Sequence, residues 1–191
     1  MVAATRRKFT VEEYHRLADL GFFHENEKIE LIRGEIIAMA PKRTPHSVAN
    51  SQLWQQFYEL LGKQAEIRVQ EPITLLDNSE PEPDVVIAQK KADNYLAAHP
   101  TVADIILVIE ISDSTLKYDC ESKLALYAEA GVKHYWIVNL VDRRLETYSN
   151  PFSDGGDKFD YRNKSVILPS EIANIPEFDD LSLKLDSVFP Q

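Results

Sequence analysis

Two carboxylates and an ammonium group stand out in the middle of the chain. Asp84 opens an apolar strand in PEPDVVIA, Glu110 lies near the end of a second strand in DIILVIEIS, and Lys123 follows in DCESKLALYAEA. Converging carboxylates can hold a divalent cation, and a nearby ammonium can orient a water against a phosphodiester. Pro83 has a fixed φ and biases Glu82 toward extended geometry, which presents Asp84 at a strand entry. Glu110 follows the apolar run Ile105 to Ile109, on a strand expected to be central. An unpartnered carboxylate there is costly, so it must hold a cation, pair with a base, or stand at the strand's open end. If the two strands are neighbours, both groups face one spot, and the Ile111 carbonyl offers a third oxygen. Mg2+ (or Mn2+) suits such a set, because it takes one or two carboxylates and completes its octahedron with waters and substrate phosphate.

The elements that must position these groups can be read in order. Thr10 and Glu13 form a capping box, opening a helix that runs through Leu20 and stops at Gly21. KIELIRGEIIAMA (28–40) alternates about Arg33-Gly34 and reads as a β-hairpin. Thr44-Pro45 reads as an N-cap and first-turn proline of a helix ending near Gly62. Its apolar stripe is Leu53, Trp54, Phe57, Leu60 and Leu61. Strands are expected at 65–69, 72–76, 84–88 and 104–111, a short helix or loop at 90–100, and a helix from Asp119 to Ala130 capped by Gly131. Residues 133–140 and 144–149 pair through Val141-Asp142-Arg143. SDGGDK is a loop, and a last strand at 164–168 leads into a tail whose place the pattern does not define. Strands interleaved with helices predict a mixed central sheet covered on both faces.

Length and composition narrow the class. The 191 residues fit one domain spanning 1–191, with 44% hydrophobic and 27% charged residues. The longest apolar run, DIILVIEI, is too short to span a bilayer, so no membrane segment is expected. The N-terminal MVAATRRKF lacks the apolar stretch of a secretory leader. A lone cysteine, Cys120, fits a reducing compartment, so a cytoplasmic location is expected. The net charge of -10 argues against tight non-specific nucleic-acid binding, which needs a basic face, but not against a site that recruits its own cation. The clusters Arg6-Arg7-Lys8, Lys42-Arg43, Lys90-Lys91 and Arg143-Arg144 read as solvated surface.

Taken together, PEPDVVIA and LVIEIS resemble the PD-(D/E)XK nuclease superfamily. VIEISDSTLKYDCESKLALYAEAGVKHYWIVN, with IELIRGEIIAMAP and His46, is similar to the Uma-two family of restriction endonucleases, abundant in cyanobacteria, over roughly residues 10–150. One departure stands out. Ser112 shares a strand face with Glu110, in the slot where the superfamily places its lysine. The resemblance implies that the lysine has moved to the following helix as Lys123. Asp119 and Lys123 are i and i+4 on one helix face, which also suits an ordinary surface ion pair.

The resemblance thus implies a restriction-endonuclease-like α/β fold and metal-dependent hydrolysis of a phosphodiester, in DNA foremost. Asp84, Glu110 and Ile111 are the metal ligands and Asp84, Glu110 and Lys123 the catalytic set. Glu30 occupies the family's ELI-x-GE position, where it either assists or faces solvent. His46 in a first helical turn suits either a substrate contact or a capping or surface role. Ser112, Ser114 and Thr115 form the strand-to-helix turn or bind phosphate. Cys120 lacks an evident base partner. Cleavage of both duplex strands would suit a homodimer. The same residues admit two rivals: a binding module that keeps the fold without the chemistry, and a nuclease for RNA or branched DNA.

Overall fold

The computed structural model describes residues 6–24 and 27–190; residues 1–5, on which the reading of the N-terminus partly rests, lie outside it. The chain opens with α1 (Val11–Asp19), and the expected capping box is present: Thr10 Oγ1 accepts from the Glu13 amide at 3.1 Å, and the Thr10 amide donates to Glu13 Oε2 at 3.2 Å. Strands β1 (Ile29–Ile32) and β2 (Glu35–Ala38) form the expected hairpin. Arg33 and Gly34 both take positive φ (49° and 78°) at its tip, as a two-residue turn matched to strand twist requires.

Helix α2 (Thr44–Leu61) follows. Its N-cap is Arg43 rather than Thr44, with no side-chain cap bond, because Thr44 already lies in the first turn beside Pro45. Leu53, Phe57 and Leu61 are fully buried as the stripe predicts, whereas Trp54 is 44% exposed. One residue past Leu53 is about 100° round the helix, enough to carry Trp54 off the packed face.

Six strands build the main sheet in the order β3 (Ala65–Val69), β4 (Val85–Gln89), β5 (Ile105–Ser112), β6 (His134–Asn139), β7 (Arg144–Ser153), β8 (Phe159–Ile167). All neighbours are antiparallel except β5 and β6. That parallel pair needs a crossover. It is supplied by a short α3 (Leu116–Tyr118), a π-helical stretch (Asp119–Lys123) and α4 (Leu124–Ala130), which ends at Gly131 in the left-handed conformation. Residues 72–76 form no strand, only isolated bridges at Thr74 and Leu76; the amides of Ile73, Thr74 and Leu75 donate to the separate carbonyls of Pro81, Pro100 and Ser79, so no ladder forms. The expected strand at 164–168 is the far end of the longer β8.

Every residue of β5 is buried, as a strand covered on both faces must be. On one side, Leu53, Phe57 and Leu61 of α2 pack on Val85, Ile87, Leu107, Ile109 and Ile111. The tail joins this layer: β9 (Ile172–Asn174) pairs with β10 (Ser182–Lys184), and Leu183, Leu185, Val188 and Phe189 are buried. On the other side, Leu124 and Tyr127 pack with Val86, Val108, Tyr135, Tyr148 and Tyr161. Each fully buried aliphatic or aromatic side chain contributes about 1.5–3 kcal/mol, which fixes β4 and β5 side by side. No described helix is long and apolar enough to cross a membrane.

Candidate active site

The register of the two central strands brings the carboxylates together. Val85 on β4 lies opposite Ile109 on β5, so Asp84, just before β4, and Glu110, just after Ile109, meet at one end of the pair. The Asp84 amide donates to Glu110 Oε2 at 3.4 Å, and Asp84 Oδ2 accepts from the Ile111 amide at 2.9 Å. Both side chains are more than nine-tenths buried and line one cavity of about 330 Å³. The amide and carbonyl of one strand residue face the same edge, so the Ile111 carbonyl also faces Asp84.

Lys123 reaches this place from the crossover. Its Nζ lies 2.9 Å from Glu110 Oε1 and 3.1 Å from Glu30 Oε2, and the side chain is buried. The surface-pair alternative for Asp119 and Lys123 therefore fails: both are buried, in a π-helical rather than α-helical turn. The wider turn takes in one extra residue, a device common at functional sites. Asp119 Oδ2 accepts from Ser112 and Thr115, each at 2.7 Å, which ties the crossover to the end of β5. Ser112 thus braces Asp119 and does not itself line the cavity. Glu30 is buried, not solvent-facing, and also accepts from the Glu82 amide at 3.3 Å. His46 is buried as well, with Nε2 3.0 Å from Asp84 Oδ2.

The pattern missed two contributors. Lys42, read as solvated surface, is half-buried, with its Nζ atom buried 3.5 Å from Asp84 Oδ1 and without a hydrogen-bond partner. No periodicity precedes α2 to mark it. Tyr127 donates to Glu110 Oε1 at 2.7 Å. It stands four residues after Lys123, a spacing that places both on one helix face and could have shown it.

Burial dominates the electrostatics. It pushes Glu110 up to about 8, opposed by Lys123 and reinforced by the charges of Asp84 and Asp119. Burial would also raise Asp84, but the His46 bond and charge, the Ile111 amide and Lys42 hold it below the ordinary carboxylate value. Burial works against the Lys123 charge, yet Glu110, Glu30 and Asp119 raise it well above the usual lysine value. The Glu110 and Lys123 shifts pull against each other, since an acid that keeps its proton is no anion for a lysine. The two short contacts decide for a charged Lys123 shared between Glu110 and Glu30. Asp119 is raised, chiefly by burial.

The donor set fits a small, hard cation with few protein ligands. The short contacts fall on Asp84 Oδ2 and Glu110 Oε1, while Asp84 Oδ1 and Glu110 Oε2 have only contacts of 3.4–3.5 Å. Among the described residues no group of three or more His, Cys, Asp or Glu side chains could hold a metal ion. Two carboxylates would accommodate a cation that keeps most of its waters, as Mg2+ does, and not one that needs a closed protein cage. Three polar atoms of cavity residues, Lys42 Nζ, His46 Nδ1 and Tyr118 OH, are buried without a partner. Such groups cost free energy until something bonds them.

Asp84, Glu110 and Lys123 thus meet at one end of a mixed α/β sheet whose parallel pair is joined by a helical crossover. The same fold occurs in a protein from Anabaena variabilis described as "a putative nuclease belonging to DUF820": TM-score 0.72 and 17% identity, over 95% of this chain and 97% of that one. Residues 11–186 match the family Uma2, described as "Putative restriction endonuclease", and the chain belongs to that family. No curated protein matches the chain.

Proposed function

We propose that the protein is a metal-dependent endonuclease that hydrolyses a phosphodiester bond, in DNA foremost. The observation that carries this reading is the meeting of Asp84, Glu110 and Lys123 in one buried cavity, from three separate elements. Asp84 and Glu110, with the Ile111 carbonyl, would hold Mg2+ or Mn2+. When bound, the cation supplies charge for the scissile phosphate and lowers the pKa of a coordinated water. Lys123, fixed by Glu30 and Glu110, orients the water and offsets charge that builds on the phosphoryl oxygens. Lys42, whose Nζ is buried without a hydrogen-bond acceptor, is suited to a phosphate oxygen. His46 and the Ile111 amide hold the Asp84 carboxylate in place.

The test is nicking of supercoiled plasmid with Mg2+ or Mn2+ by the wild type, Asp84→Ala and Lys123→Ala. Cleavage by the wild type that chelator and both substitutions abolish is expected. Undiminished cleavage by Lys123→Ala would remove that residue from the mechanism. No cleavage with any divalent cation would instead favour a module that keeps the fold for binding.

A further inference from the structure

A second, smaller cavity lies beside the first, on the outer side of α2. It is an open surface depression of about 260 Å³ lined by Asn50, Ser51, Trp54 and Val69, with no charged group among them. Drug-sized sites run from roughly 300 Å³ upward, so this one suits a single planar ring. Two connections tie it to the candidate active site. His46 lines the first cavity and Asn50 the second, one helical turn apart, with Trp54 and Tyr58 continuing the same i, i+4 row. Val69 pairs with Val85, the residue after Asp84, and the Gln70 amide donates to the Asp84 carbonyl at 3.1 Å.

The lining has the two parts that recognise a nucleobase. Trp54 is 44% and Tyr58 61% exposed, and their rings stack at 5.6 Å and 27°. Exposed stacked aromatics offer a π-face to any base. Asn50 is more than nine-tenths buried, yet its Oδ1 has no hydrogen-bond partner. A carboxamide carries both donors and an acceptor, which suits the edge of a base. From His46 to Trp54 the helix rises about 12 Å, the rise of about three to four nucleotides in a stacked strand.

We propose that this cavity is a base-binding subsite: an unpaired nucleobase about three to four nucleotides from the scissile phosphate stacks on Trp54 and bonds the Asn50 carboxamide. The proposal rests on the nuclease reading of the neighbouring cavity. Stacking does not depend on net charge, so it adds to the hold on a strand in a protein of net charge -10.

The experiment titrates a fluorescein-labelled, mixed-sequence single-stranded DNA decamer in EDTA, where no cleavage occurs, and reads anisotropy together with tryptophan emission. Trp136 is 3% exposed, so quenching reports Trp54. Expected are quenching on binding and an affinity about five- to 150-fold weaker in Trp54→Ala, the loss of one stacked base. Trp54→Phe, which keeps a ring, should retain most of the binding. Equal affinity in Trp54→Ala overturns the subsite and leaves the nuclease reading standing. So does an absence of wild-type binding up to about 100 µM, the weak end of non-specific nucleic-acid affinity. Gel filtration showing that Trp54→Ala converts a dimer to a monomer assigns the patch to a second copy and also overturns it. Trp54-dependent binding by a protein that cuts nothing with any metal keeps the subsite and removes the nuclease reading.

Discussion

Replacing Lys123 by Met removes one charge from a buried set and leaves the shape nearly intact. The ammonium lies 2.9 Å from Glu110 and 3.1 Å from Glu30, and all three side chains are at least nine-tenths buried. At an effective dielectric constant of about 20, each contact supplies roughly 5 kcal/mol of attraction, about 11 kcal/mol for the two. Desolvation of the ammonium offsets several kcal/mol of this. Breaking such a set leaves uncompensated carboxylates and costs about 3–5 kcal/mol. With a urea slope of roughly 2 kcal/mol/M, the unfolding midpoint should fall by about 1.5–2.5 M. Adding Glu30→Gln and Glu110→Gln to Lys123→Met removes the stranded charges and should restore most of the loss. A Lys123→Met midpoint within about 0.3 M of the wild type would falsify this account of the buried charges.

Tyr127→Phe deletes the 2.7 Å hydrogen bond to Glu110 Oε1 and should cost about 1–3 kcal/mol in urea unfolding, since the acceptor stays buried. Gly34→Ala should destabilise more than Gly131→Ala: both have positive φ, but a Cβ at Gly34 would meet the Lys8 Cβ at 2.6 Å, whereas at Gly131 the nearest atom is 4.0 Å away. Thermal melts of the pair decide it, the Gly131 variant losing about 1 kcal/mol for its left-handed backbone alone. Burial would raise Glu146, but Asn139, Tyr148, Arg144 and Lys164 bring it down to about 2. Its stabilisation is therefore complete above the unfolded value near 4.5 and is lost as pH falls toward 2; Glu146→Gln should flatten the fall in melting temperature over that window.

The parts legible beforehand are those where local chemistry and tertiary packing agree. The capping box at Thr10, the turn at Arg33-Gly34 and the cap at Gly131 each impose a backbone conformation on their own. The continuous apolar run of β5 marks a strand buried on both faces, and that placed Glu110 in the interior. What stayed hidden depends on long-range packing. The tail has no strong period, yet Leu183, Leu185, Val188 and Phe189 complete the layer over α2. Lys42 looked like solvated surface because a lysine beside an arginine ordinarily is; only the fold brings Asp84 next to it. The 72–76 segment has strand-like residues but pairs only at single bridges, since its successive amides go to Pro81, Pro100 and Ser79 and not to one partner strand. The π-helical turn could not be read either, because an i+4 pattern looks the same until the chain is wound.

That turn makes delivery of the ammonium a matter of phase. Shortening the crossover by one residue, at the exposed Glu121 for instance, would let it relax into regular α-helix and rotate α3 by about 100° against α4. The strands and both apolar layers could survive, while Lys123 could no longer reach Glu110 and Glu30 with Asp119 still tied to Ser112. Descendants of such a chain could thus lose chemistry in one genetic step and keep the scaffold, which is an economical route from a cutting protein to one that only holds its target.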